Sequence, residues 1–84
     1  MSELDLARRE AIVRVVEGQD LDAASMEHAM EQVLAGAASP AQIAALAVGL
    51  RMKGETSEEI AAAARVMRRR CVARIGKSTR LNSI

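Results

Sequence analysis

Ser39-Pro40-Ala41-Gln42-Ile43-Ala44-Ala45-Leu46-Ala47-Val48-Gly49-Leu50-Arg51-Met52-Lys53-Gly54 is the stretch that decides the fold. Ser39 can cap a helix with its hydroxyl, Pro40 falls at the first helical position where no N–H is needed, and Gln42 completes a capping box. Gly54 supplies the stop. Between Pro40 and Met52 only Gln42 and Arg51 are strongly polar, so this helix is apolar nearly all round and must be covered on most sides. Ile43, Leu46, Ala47 and Leu50 are expected to serve an internal core, while Ala41, Ala45, Val48 and Met52 look outward. The small residues, Gly49 included, would let another helix approach closely. Neighbouring helices in so short a chain can cover one or two faces but hardly all, and an uncovered apolar strip marks a partner surface. The expected interface is therefore Ala41, Ala45, Val48 and Met52.

Three further helices flank this one. Upstream, Leu4, Ala7, Ala11 and Val15 recur at spacings of three and four, with Ile12 and Val16 on the adjoining track, and Gly18 follows as a cap. A second helix begins at the N-cap Asp22, carries the stripe Met26, Ala29, Met30, Val33 and Leu34, and closes at Gly36. Downstream, Thr56-Ser57-Glu58-Glu59 forms another capping box, with carboxylates close to the positive end of the helix dipole. Ile60, Ala64, Met67 and Cys71 then follow on one face to about Arg74. Nothing alternates with a period of two. The class is all-α, a small four-helix bundle over residues 1–74, and residues 75–84 read as a tail that is disordered or foreign to the native reading frame.

The chain has 84 residues, and its composition is globular: half apolar and 27% charged. It holds no Phe, Tyr or Trp, so the core must be built from Leu, Ile, Val, Met and Ala and will be thin. A net charge of +1 hides an asymmetry: the 11 acidic residues all lie at or before Glu59, and seven basic residues follow it with no acid. One cysteine, Cys71, rules out an internal disulfide and suits a reducing compartment. With no signal pattern at the N-terminus and no apolar run long enough to span a bilayer, the expected location is the cytoplasm.

The segment from Ser39 to Leu46, followed by Leu50-Arg51-Met52-Lys53-Gly54-Glu55-Thr56 and Glu59-Ile60-Ala61, resembles the N-terminal helical domain of the anthranilate phosphoribosyltransferases. Gly18-Gln19-Asp20-Leu21 and the Gly36 turn agree, so the likeness runs from about Leu4 to Arg70. A sister family, the pyrimidine nucleoside phosphorylases, has a related domain with aromatic and Met-rich positions before its Lys-Gly turn. The absence of aromatics here favours the anthranilate enzymes. The resemblance implies a parent reaction in which a phosphoribosyl group passes from phosphoribosyl pyrophosphate to the amino group of anthranilate, with magnesium on the pyrophosphate. It also implies a homodimer formed through the helical domain and a larger α/β catalytic domain downstream, missing from this sequence. The phosphate-binding glycine loop of that family does not occur here. No catalytic, cofactor-binding or metal-binding residue is carried over, and the chain alone is expected to be inactive. A free-standing helical self-association module is the alternative.

Other candidate sites yield to plainer readings. Gly76-Lys77-Ser78 suggests a phosphate loop, but the position that should hold its first glycine is Cys71. Arg65, Arg68, Arg69, Arg70 and Arg74, with Lys77 and Arg80, could track a nucleic-acid backbone. No stacking aromatics or zinc ligands accompany them, and a solvated helix end explains the charges. Glu55, Glu58 and Glu59 stand where a helix start wants carboxylates, and His28 lies off the apolar stripe of its helix, as a surface residue would. Cys71 reads as a buried, inert thiol.

Overall fold

The computed structural model describes residues 2–82, with side chains described as far as Cys71. It contains four helices, α1 (Glu3–Val16), α2 (Ala23–Leu34), α3 (Pro40–Lys53) and α4 (Ser57–Asn82), and no strand among the described residues. The all-α, four-helix reading holds.

Each start is set by a local cap. Ser2 and Asp22 accept from the backbone N–H groups of Asp5 and Ser25 at 3.1 and 2.7 Å. At α3 both halves of the box are made: the Gln42 N–H donates to Ser39 Oγ at 3.1 Å, and the Ser39 N–H donates to Gln42 Oε1 at 3.0 Å. Thr56 and Glu59 repeat the arrangement at α4, at 3.0 and 2.9 Å. The end of α1 is a Schellman motif, in which Gln19 N–H reaches Arg14 O at 2.8 Å and Gly18 N–H reaches Val15 O at 3.0 Å. Gly18 sits at φ 85°, a backbone region that costs a side chain dearly and glycine nothing.

The helices pair as α1 on α3 and α2 on α4, with α1 also packing on α2. The core joins Ala11 and Val15 of α1, Leu21 of the connection, Met26 and Ala29 of α2, Leu46 and Leu50 of α3, and Ala62 of α4. Gly49 is also buried, and a Cβ built on it would lie 2.6 Å from Val15 Cγ1. The small residue on α3 thus serves a close approach by α1 within the bundle, not the approach of an outside helix.

Three expectations need correction. Ile43 is 37% exposed and Ala47 is exposed, so the inner strip of α3 is Leu46, Gly49 and Leu50, flanked by Gln42 and Lys53. Secondly, α4 buries Glu59, Ala62 and Val66 at 0% exposure, while Ile60, Met67 and Cys71 face out. The stripe of large side chains is the outer one because the smaller alanines permit tight packing against α2. Thirdly, α4 continues past Arg74 to Asn82. No proline interrupts it, and the one glycine there, Gly76, costs only about 1 kcal/mol against alanine, too little to stop the hydrogen-bond ladder.

Candidate functional site

The outer side of α3 is uncovered. Met52 is 83% and Val48 56% exposed, Ala41 is exposed and Ala45 half-buried, so all four expected interface residues reach the surface. Three of them, Ala45, Val48 and Met52, line a shallow groove of about 400 Å³ that α1 completes with Val16 and the Glu17–Gly18 turn. Ala41 lies one turn earlier, off the groove. Val16, 62% exposed, belongs to this surface, although its spacing alone placed it on a secondary track of the first helix.

Two polar clusters tie the helix pairs together. At one end Arg8 of α1 donates to Gln42 Oε1 of α3 at 3.1 Å, to Asp5 Oδ1 at 2.9 Å and to Gln32 Oε1 of α2. Gln32 can therefore be buried without an unsatisfied polar atom. At the other end Lys53 of α3 donates to Glu59 Oε1 at 2.6 Å and to Asp20 Oδ1 at 3.0 Å. Glu59 Oε2 accepts the Leu21 N–H at 2.6 Å, and its Oε1 also accepts the Thr56 N–H. Burial works against ionisation of Glu59, but the Leu21 amide, Lys53 and the Thr56 amide outweigh it and hold the carboxyl below the usual range. For Lys53 burial likewise opposes the charge, and the bonds to Glu59 and Asp20 prevail, raising its pKa. Spacing revealed the cap made by Glu59 but not its bond to Leu21, 38 residues away.

This fully satisfied carboxylate is no candidate for acid–base chemistry. Glu55 and Glu58 are exposed. Among the described residues no three His, Cys, Asp or Glu side chains converge as a metal ion would require. His28 is exposed, as expected, and Cys71 is exposed rather than buried.

The basic side of α4 is answered by acids on α2. Arg65 and Arg69 pair with Glu27 at 3.1 and 3.3 Å, and Arg69 and Arg70 with Glu31 at 3.2 and 2.9 Å. Hydrogen bonds from Arg65 and Arg70, foremost, lower the pKa of Glu27 and Glu31 respectively. Arg65, Arg69 and Arg70 are thus engaged within the bundle. Arg74, Lys77, Arg80 and the Gly76-Lys77-Ser78 string lie outside the described side chains. No helix among the described residues is long and apolar enough to cross a membrane.

Two capping boxes, an apolar third helix and the Lys53–Glu59 knot define a small helical bundle. Residues 9–71 match the model of the glycosyl transferase family, helical bundle domain, and the chain belongs to that family. Among curated proteins it is 59% identical over 71 residues to an anthranilate phosphoribosyltransferase of Citrifermentans bemidjiense, an alignment covering 83% of this chain and 20% of that protein. The enzyme of the same name from Syntrophotalea carbinolica is 63% identical over 60 residues, 71% of this chain and 17% of its own length. That of Geobacter sulfurreducens is 56% identical over 70 residues, 82% and 20%. The resemblance read from Ser39–Leu46 and Leu50–Thr56 is borne out, and the chain spans about one fifth of the length of the relatives it matches.

Proposed function

We propose that this chain is the N-terminal helical bundle of an anthranilate phosphoribosyltransferase. The enzyme would transfer a phosphoribosyl group from phosphoribosyl pyrophosphate to the amino group of anthranilate in tryptophan biosynthesis. The observation that carries this reading is the 59% identity over 71 residues to an enzyme of that name. The relatives' shared name also favours it over a pyrimidine nucleoside phosphorylase. The bundle's role is architectural: it forms one wall of an interdomain cleft and contributes to a homodimer contact, with the chemistry in an α/β domain. Magnesium would escort the pyrophosphate in this reaction. The reaction would run in the cytoplasm, consistent with the single cysteine.

The test is a chimera in which this chain replaces the aligned segment of the Citrifermentans bemidjiense enzyme. Phosphoribosyl transfer to anthranilate within an order of magnitude of the parent enzyme is expected. A chimera that folds and binds phosphoribosyl pyrophosphate, yet does not turn over, would sink the assignment. The dimer contact rests on the exposed groove of Ala45, Val48 and Met52. Val48→Glu in that chimera should lower the mass seen by sedimentation, since burying an unpaired carboxylate at a contact is costly. An unchanged mass would remove Val48 from the interface.

A further inference from the structure

The two helix pairs, α1 with α3 and α2 with α4, are chiefly joined where α1 packs on α2, and α3 makes at most a slight helix contact with α4. The end of α3, the start of α4 and the connection between α1 and α2 nevertheless converge on the buried side chain of Glu59. We propose that Glu59 and Lys53 form a latch through which the α1–α2 connection and the first turn of α4 open and close as one unit.

The acceptor count carries the inference. The two carboxylate oxygens of Glu59 serve three donors: Lys53 Nζ and the Thr56 N–H on Oε1, and the Leu21 N–H on Oε2. Lys53, its side chain only 3% exposed, also holds Asp20 Oδ1, so the same pair grips the connection at two successive residues. Leu21 itself is 1% exposed and belongs to the core. Releasing Glu59 would leave the buried Leu21 N–H without its acceptor and Lys53 without its buried counter-charge, so neither segment can leave without disturbing the other. Local opening normally follows such cooperative units. This inference stands on the geometry of the chain and does not depend on the reaction assigned above.

Residue-by-residue amide hydrogen exchange on the 84-residue chain, in native buffer, tests it. Glu59→Gln keeps the shape but offers one acceptor oxygen for donors on both sides, and turns an NH2 group toward one of them. The amides of Leu21, Thr56, Glu59 and Ile60 should then exchange faster together, by about tenfold or more for a lost charge-assisted bond. Those of Gln42 and Ile43 at the start of α3 should keep their protection, because their acceptors, Ser39 Oγ and Ser39 O, are elsewhere. Leu21 exchanging at the wild-type rate, or Leu21 and the α4 turn responding separately, overturns the latch. Should Glu59→Gln fail to fold, Lys53→Met decides, since it leaves both backbone bonds to Glu59 possible. A smaller but still joint loss of protection is expected there, and an unchanged pattern removes Lys53 from the device and overturns the proposal.

Discussion

Gly49→Ala should destabilise the chain, although by helix propensity alone it should help. A glycine inside a helix costs about 1 kcal/mol relative to alanine, so the substitution begins with that gain. Against it stands Val15. The new Cβ would lie 2.6 Å from Val15 Cγ1, far inside the roughly 3.5–4.0 Å at which carbon atoms attract. Val15 cannot swing aside cheaply: it is 1% exposed, and a helical valine has essentially one favoured rotamer. The α1 backbone leaves no slack beside it, since the added carbon also touches the Val15 carbonyl carbon and the Val16 nitrogen at 3.4 Å. Overpacking of this kind costs about 1–3 kcal/mol, and the rigid neighbour places this site toward the upper end. The expected net loss is about 1–2 kcal/mol, which for a chain of this size lowers Tm by about 4–16 °C. The chain has no aromatic residue, so unfolding in heat and urea is followed by far-ultraviolet circular dichroism. A double variant, Val15→Ala with Gly49→Ala, should recover at least about 1 kcal/mol relative to the sum of the single changes. A single variant as stable as the parent, or more so, would refute the claim that Gly49 exists to admit α1.

Ser39→Ala should cost about 1 kcal/mol, because Gln42 loses the hydroxyl that accepts its N–H, and equilibrium urea unfolding reads this directly. Glu27→Gln removes the solvent-screened pairing with Arg65 and Arg69, and should lower the urea midpoint only slightly, an effect that vanishes in molar salt. A larger, salt-insensitive loss would mean that Glu27 is held by more than charge. Acid should destabilise the bundle through Glu59. Its folded carboxyl lies below its unfolded value, so the stabilisation is complete above the unfolded value of about 4.3 and is lost as pH falls through the folded one. Urea midpoints measured from neutral pH down into the acid range should therefore fall less steeply in Glu59→Gln than in the parent, and equal slopes would contradict the assignment.

What the sequence disclosed was whatever is decided within a few residues. Ser39-Pro40-Ala41-Gln42, Asp22 three residues before Ser25, Thr56 three before Glu59 and Gly18 after α1 each make bonds to backbone within one turn, so their geometry follows from spacing. The buried face of α4 was misread because two candidate stripes lie only one residue apart. Ile60, Ala64, Met67 and Cys71 carry the larger apolar side chains, while Glu59, Ala62 and Val66 include a charge. The second stripe is buried because the charge finds Lys53 and two backbone amides, and because alanine lets α4 come close to α2. Neither condition is visible along the chain: Leu21 and Glu59 are 38 residues apart, and Arg65 and Glu27 likewise.

The same choice of small residues for the interior explains why so much apolar surface is left outside, and sets a bound on the proposed dimer. Among the described residues three of the nine buried apolar ones are alanines, whereas Val16, Val48 and Met52 remain 62, 56 and 83% exposed along the α1–α3 groove. Full burial of a valine or methionine is worth about 1.5–3 kcal/mol, so covering the exposed parts of these three on both copies contributes on the order of 6–12 kcal/mol. Association itself costs an estimated ~4–15 kcal/mol, so the groove alone roughly offsets the cost of docking a second copy and leaves little surplus. A stable homodimer must therefore recruit more than Ala45, Val48 and Met52. At 100° per residue the exposed Ala41 and Ala44 flank Val48 on the outer face of α3 and can widen the contact, whereas Ile43 and Ala47, expected in the core but exposed, lie on the opposite flank.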